Sequence, residues 1–166
     1  MIVLDRIDHL YKPDTICGKI VDFPNPDLNT LKALYDLAGF QTYPSICQVD
    51  CGQELTFSNN LNGGLYVIPG PLLNELHMRW AHWADFLLSK LDVLRSVGKE
   101  AHIDQVSFSM ATHQLEIPIM HLPREYNYPA HDFIPNKGYP TVLHYHRCLS
   151  EYGFITSHGI NDPSYA

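Results

Sequence analysis

The strongest hydrophobic pattern lies in the middle of the chain, where apolar side chains recur every three or four positions. This spacing predicts a long helix over Pro71–Ser96, with Gly98 just beyond its end. The apolar face of that helix would carry Leu73, Leu76, Trp80, Trp83, Leu87, Leu91 and Leu94. The same spacing predicts two shorter helices, over Asn29–Ala38 and over Asp104–Ala111.

Short runs of β-branched and aromatic residues predict the strands, and these runs alternate with the helices. They are Met1–Leu4, Lys19–Phe23, Leu65–Ile68, Ile117–Met120 and Thr141–His146. Phe40–Phe57 has no clean period and reads as a loop with one short strand, whereas the proline-rich segment Leu122–Tyr139 reads as an ordered loop. The alternation predicts an α/β fold, with a small mixed sheet flanked by helices. We expect residues 1–166 to form a single domain, with a loosely ordered tail over 150–166.

Composition narrows the classes of function. The chain has 11 Lys and Arg against 18 Asp and Glu, a net charge of -7, which disfavours binding to nucleic acid or to an anionic membrane surface. Its four cysteines lack the paired spacing of a zinc site, which predicts free thiols in a reducing compartment and hence a cytoplasmic location. No apolar stretch is long enough for a membrane span.

Two polar segments could form a ligand site. Asn62, Gly63 and Gly64 precede a predicted strand, where glycines allow either a tight turn or the close approach of a ligand. Asp104 and Gln105 begin a predicted helix. An aspartate there can serve as a helix cap or as a partner of the helix dipole, or it can project into a cleft and bind sugar hydroxyls or steady a developing positive charge.

A third segment could bind a metal ion. His144 and His146 are two positions apart in a predicted strand, so their side chains would face the same side. Such a pair can present two imidazoles to one metal ion, or it can be structural.

The order of these motifs resembles the second half of the A-type-fold nucleotide-sugar glycosyltransferases, especially the glycogenin-like family 8 group. The matching segments are N-G-G-L-Y-V-I-P, a Trp-containing helix, H-I-D-Q-V-S-F, H-L-P-R-E-Y-N and V-L-H-Y-H. Met1–Tyr11 is similar to the segment that follows the Asp-x-Asp motif of that family. The resemblance covers nearly the whole chain and is weakest over residues 24–57.

The resemblance implies a partial A-type glycosyltransferase fold, of the hexosyltransferase kind. A nucleotide-diphosphate sugar would be the donor, a sugar or a protein the acceptor, and Mn²⁺ or another divalent cation the cofactor. Asn62, Gly63 and Gly64 would line the sugar cleft, while Asp104 and Gln105 would act at the reacting carbon. The metal ligand would be His144, with His146 the less favoured choice.

The chain departs from the family pattern in one respect. It lacks an Asp-x-Asp motif and the nucleotide-binding strands before it, and Asp5 and Asp8 do not replace them. The resemblance therefore implies a C-terminal portion that binds the cation weakly, has little activity alone and could pair with a separate N-terminal half. Two alternatives stay open: a small His-based metal-binding or interaction module without transferase activity, and a non-catalytic remnant of the fold.

Overall fold

The computed structural model describes residues 1–129 and 139–144. The chain divides into two compact units, one formed by Tyr11–His121 and the other by Met1–Leu10 together with the chain from Leu122 onward. The described residues form small sheets with flanking helices, which confirms the predicted mixed α/β class.

The helices of the larger unit are α1 (Leu28–Leu37), α2 (Leu73–Ser89), α3 (Leu91–Arg95) and α4 (Ile103–Gln114). The predicted long helix is therefore two helices, because Lys90 leaves the helical conformation with φ -118° and ψ 25°. The break has a packing reason: α2 lies against α4, whereas α3 lies against α1. The predictions for α1 and α4 are confirmed to within a few residues.

Both ends of α1 are set by local sequence. The Asp27 carboxylate caps the first turn by accepting hydrogen bonds from the backbone N–H groups of Asn29 (2.9 Å) and Thr30 (3.1 Å). Beyond the other end, Gly39 adopts a positive φ of 82°. Its N–H donates to the carbonyl of Asp36, and the next N–H donates to the carbonyl of Tyr35, which forms a Schellman motif.

A three-stranded mixed sheet organises the larger unit. Its central strand β2 (Ile16–Ile20) pairs antiparallel with β5 (Leu61–Val67) and parallel with β6 (Ile119–His121). The prediction of a strand over Lys19–Phe23 was wrong in position, because the chain is paired earlier, where Ile16 and Cys17 are fully buried. A separate antiparallel pair, β3 (Ile46–Gln48) and β4 (Leu55–Phe57), occupies the segment predicted as a loop with one short strand.

The pairing of β2 with β5 contains a bulge. Gly18 is opposite Tyr66 and Ile20 is opposite Leu61, so the four residues Asn62–Leu65 lie opposite Lys19 alone. The prediction that Asn62, Gly63 and Gly64 precede the strand was therefore wrong, because β5 begins at Leu61 and includes them. Gly18 makes the tight packing beside the bulge possible, since an added Cβ would lie 2.7 Å from Leu61 Cδ1.

The hydrophobic core of the larger unit lies between its sheet and its helices. Phe108 of α4 stacks on Tyr66 of β5 with ring centroids 4.1 Å apart and meets the edge of Trp80 of α2 at 4.9 Å. Through the contacts of these three rings, β5, α2 and α4 pack against one another. The fully buried core also includes Ile16, Leu31, Leu34, Tyr35, Phe57, Leu61, Leu87, Leu94, Val106, Met110 and Ala111.

The smaller unit contains a second sheet of three strands. Its order is β1 (Ile2–Val3), β8 (Val142–His144) and β7 (Tyr128–Pro129), with β8 antiparallel to β1 and parallel to β7. Both outer strands are very short, and a single helical turn over Arg124–Asn127 precedes β7. The prediction of a strand beginning at Thr141 is confirmed as far as His144, whereas His146 and the predicted tail lie outside the described residues.

Candidate functional site

The structure brings together two segments that were predicted from separate motifs. Gly63 lies in the bulge of β5, and Asp104 and Gln105 lie in the first turn of α4. An added Cβ at Gly63 would lie 3.2 Å from Asp104 Oδ2 and 3.5 Å from both Cγ and Nε2 of Gln105. We call Asn62, Gly63, Asp104 and Gln105 the Gly63 site.

The Gly63 site is open to solvent and rich in hydrogen-bonding groups. Gly63 and Asp104 are exposed, whereas Gln105 is half-buried. The Gln105 Oε1 atom is buried and, within the described part of the chain, accepts no hydrogen bond. A buried carbonyl oxygen without a donor is costly, so Gln105 is a polar group whose hydrogen bonding these residues leave incomplete.

The backbone carbonyl of Asp104 is held by a hydrogen bond from a tryptophan side chain. Trp80 Nε1 donates to the Asp104 carbonyl oxygen and to Ser107 Oγ, both at 3.0 Å. The residue at the N-cap position of α4 is His102, whose side chain makes no capping bond. Asp104 is therefore not the cap of α4, but its carboxylate lies in the first turn, where a negative charge interacts favourably with the helix dipole.

Asn62 connects the bulge to a residue that the sequence analysis missed. Its Nδ2 donates to Asp22 Oδ2 at 2.6 Å, and its Oδ1 accepts from the backbone N–H of Gly64 at 3.0 Å. Asn62 is only 8% exposed, and Asp22 is equally buried at 8%. The carboxylate of Asp22 is thus part of the structure that supports the Gly63 site.

A buried lysine lies behind Asp22. Lys19 is 1% exposed, and its ammonium group pairs with Asp22 and with Asp50 Oδ2, the latter at 3.3 Å. Cys51 Sγ lies 3.7 Å from Asp22 Oδ1 and 3.8 Å from Asp50 Oδ2. The sequence carries one signal for this pair, a lysine three residues before an aspartate inside an apolar run, and the same pattern fits an ordinary strand.

The charge of Asp104 acts on its neighbours. The pKa of His102 is lowered, first by burial and then by the Lys99 ammonium, while the Asp104 carboxylate opposes this shift. Burial, and secondly the Asp104 charge, raise the pKa of the Tyr66 phenol. The Asp104 carboxylate therefore acts electrostatically on both His102 and Tyr66.

We expect Asp104→Asn to lower the pKa of His102 further, because it removes the opposing carboxylate. Since a depressed histidine pKa means that protonation disfavours the folded state, stability should fall as the pH drops below about 6.5, and more steeply in the variant. The measurement is an NMR titration of the His102 ring protons, followed by urea unfolding at several pH values. An unchanged or higher His102 pKa in the variant would contradict the assigned contact.

The predicted metal ligand His144 belongs to a different part of the structure. It lies in β8 of the smaller unit and is half-buried, whereas the Gly63 site belongs to the larger unit. Within residues 1–129 and 139–144, the cluster of metal-ligating side chains is Asp22, Asp50 and Cys51, whose ligand atoms lie within 4.8 Å of one another. The Lys19 ammonium already pairs with both of these carboxylates, so this cluster does not suit a divalent cation.

The fold and the site together define a mixed α/β protein with an exposed polar site between a strand bulge and a helix start. Comparison with protein-family models, with curated proteins and with solved structures gives no match. None of the helices in the described residues is both long and apolar enough to cross a membrane.

Proposed function

We propose that this chain is a glycosyltransferase-family protein whose Gly63 site binds the sugar of a nucleotide-diphosphate sugar for transfer to an acceptor. One observation carries the proposal: because Gly63 has no Cβ, its backbone lies close against the Asp104 carboxylate and the Gln105 side chain. These residues come from the two motifs that the resemblance assigns to the sugar cleft and to the reacting carbon.

The chemistry of these groups suits a sugar. Each sugar hydroxyl both donates and accepts hydrogen bonds, the Asp104 carboxylate accepts them, and the Gln105 amide does both. Because glycine has no side chain, a sugar ring can approach the backbone at Gly63 more closely than it could at any other residue type. Glycosyl transfer develops positive charge at the anomeric carbon, and the Asp104 carboxylate would stabilise that charge.

The proposal includes a divalent cation, for which the resemblance names His144. A cation such as Mn²⁺ would neutralise the charge of the leaving diphosphate. Mn²⁺ prefers oxygen ligands and admits an imidazole among them, so several oxygen ligands would have to join His144. Line broadening of the His144 ring signals by micromolar Mn²⁺, stronger with UDP present than without it, would support this part of the proposal.

The sugar-binding proposal is tested with Gly63→Ala and a matched control, Gly70→Ala. A Cβ at Gly63 meets Asp104 and Gln105, whereas a Cβ at Gly70 meets no heavy atom within 4 Å, and neither glycine has a positive φ. The ¹⁵N-labelled protein is titrated with UDP-glucose, UDP-galactose and UDP, with MgCl₂ present. We expect a UDP-sugar to shift the Gly63, Gly64 and Gln105 signals of the wild-type protein.

The control should bind like the wild-type protein, while Gly63→Ala should weaken the affinity about tenfold, equivalent to about 1.4 kcal/mol. UDP alone should leave the Gly63 and Gln105 signals in place, because the proposed contacts are made to the sugar. The proposal fails if no UDP-sugar shifts these signals, or if both variants bind with equal affinity.

A further inference from the structure

We infer that Lys19 and Asp22 are positioning residues that fix the side-chain amide of Asn62, and with it the backbone bulge that carries Gly63. The effect on ligand binding rests on the proposed function, whereas the effect on the bulge does not. Lys19 is 1% exposed and Asp22 is 8% exposed, so both act from beneath the Gly63 site.

The orientation of the Asn62 amide follows from the chemistry of its two partners. A carboxylate only accepts hydrogen bonds, so the Asn62 atom 2.6 Å from Asp22 Oδ2 is the donor Nδ2. A backbone N–H only donates, so the atom 3.0 Å from Gly64 N is the acceptor Oδ1. The two contacts agree on one orientation, and together they leave one Nδ2 proton and one Oδ1 lone pair for a ligand.

The bond from Gly64 to Asn62 holds the bulge in shape. Four residues of β5 lie opposite Lys19 alone, so regular ladder pairing does not fix this stretch of backbone. Gly63 lies between the two bonded residues and has no side chain to anchor it. The position of Gly63 beside Asp104 therefore depends on Asn62 keeping its orientation.

Lys19 keeps Asp22 in place. Its ammonium group joins β2 to Asp22, just beyond that strand, and to Asp50, between β3 and β4. Asp22 alone would be a buried carboxylate with no opposite charge among these contacts, which is costly enough to draw it toward water. With Lys19 present, Oδ1 of Asp22 is paired with the ammonium, while Oδ2 faces Asn62.

The inference is tested with the double variant Lys19→Met and Asp22→Leu. Replacing both members of a buried ion pair by apolar residues is often neutral for stability, so this variant should fold. The Asp50 side chain is already 21% exposed in the wild-type structure, so its carboxylate can turn toward water when Lys19 is replaced. The single variant Lys19→Met is measured beside it, and Tyr35→Phe serves as the control because it loses a buried hydrogen bond to Ser109 in another part of the core.

Two measurements are made on the free protein: the positions of the Asn62 side-chain NH₂ signals, and the hydrogen-exchange rate of the Gly64 amide. In both Lys19 variants we expect the NH₂ signals to move toward random-coil positions. Exchange at Gly64 should become about tenfold faster, because its N–H loses a fixed acceptor. Tyr35→Phe should change neither measurement.

The inference is overturned if the folded double variant keeps wild-type Asn62 signals and wild-type exchange at Gly64. It is equally overturned if Tyr35→Phe changes both measurements as much as the double variant does. UDP-glucose affinity is measured on the same samples and should weaken about tenfold in both Lys19 variants, but not in Tyr35→Phe. If the wild-type protein binds no UDP-sugar, the proposed function fails, while the measurements on Asn62 and Gly64 still decide the positioning role.

Discussion

Lys19→Met should lower the free energy of unfolding by about 3–5 kcal/mol, the loss typical of breaking a buried ion pair on one side. Methionine matches the length of the lysine stem, so the packing around the stem is nearly preserved. What is lost is the cation between two carboxylates whose side chains are only 11% (Asp22) and 21% (Asp50) exposed. These two groups then repel each other in a poorly hydrated place.

Urea unfolding of the full chain at neutral pH measures this loss. Lys12→Met is the control, because Lys12 is exposed and its replacement should change stability by no more than about 0.5 kcal/mol. The Lys19→Met, Asp22→Leu double variant should recover most of the loss, since it also removes one repelling carboxylate. A loss below about 1 kcal/mol for Lys19→Met would show that the ammonium contributes little net stability.

Phe108→Ala should also cost about 3–5 kcal/mol, because it removes a fully buried ring and leaves a cavity. The ring lies between Tyr66 of β5 and Trp80 of α2, so its loss loosens the contacts that set the spacing between the strand and the helices. Aromatic contacts of this kind add about 0.5–1.5 kcal/mol to the burial of the ring.

The same urea experiment tests Phe108→Ala against Phe23→Ala. Phe23 is 48% exposed, so its truncation should change stability far less. We also expect the amide signals of Gly63 and Asp104 to shift in the Phe108 variant, because the packing between β5 and α4 changes. Equal losses for the two phenylalanines would mean that the core around Phe108 is not tightly packed.

The helices could be predicted from the sequence because their signals are local. The first helix was predicted over Asn29–Ala38 and is observed over Leu28–Leu37. The prediction relied on the apolar spacing of Leu31, Leu34 and Tyr35 and on Gly39 beyond the end of the helix. The long helix shows the limit of such signals. Its apolar spacing continues through Lys90, and the break there follows from α3 packing on a helix other than α4.

The strands were harder to predict from the sequence, because each strand depends on pairing with a strand that is distant in the sequence. The N-G-G segment looked like a turn from its residue types, yet pairing of β5 with β2 places it inside a strand as a bulge. The buried lysine that lies opposite this bulge pairs with the nearby Asp22 and also with Asp50, 31 residues away. No local pattern reports such a contact, so the support beneath the site could not be predicted.

The Gly63 site was predicted in part. Asn62, Gly63, Asp104 and Gln105 were selected by the order of their motifs, and the structure places Gly63 against both residues of α4. The contribution of Asp22 was missed, because its role depends on a hydrogen bond to Asn62 across 40 positions of sequence. The roles of His144 and His146 stay predictions.

Trp80 gives the Gly63 site an intrinsic optical reporter. Its indole N–H is bonded to the Asp104 carbonyl oxygen at 3.0 Å, and indole fluorescence responds to changes in hydrogen bonding and polarity around the ring. The second of the two tryptophans, Trp83, is 7% exposed and bonded instead to Gln114. A Trp83→Phe protein would therefore have a single tryptophan, which can be excited selectively over the tyrosines, so that ligands could be screened at the Gly63 site by fluorescence without any label.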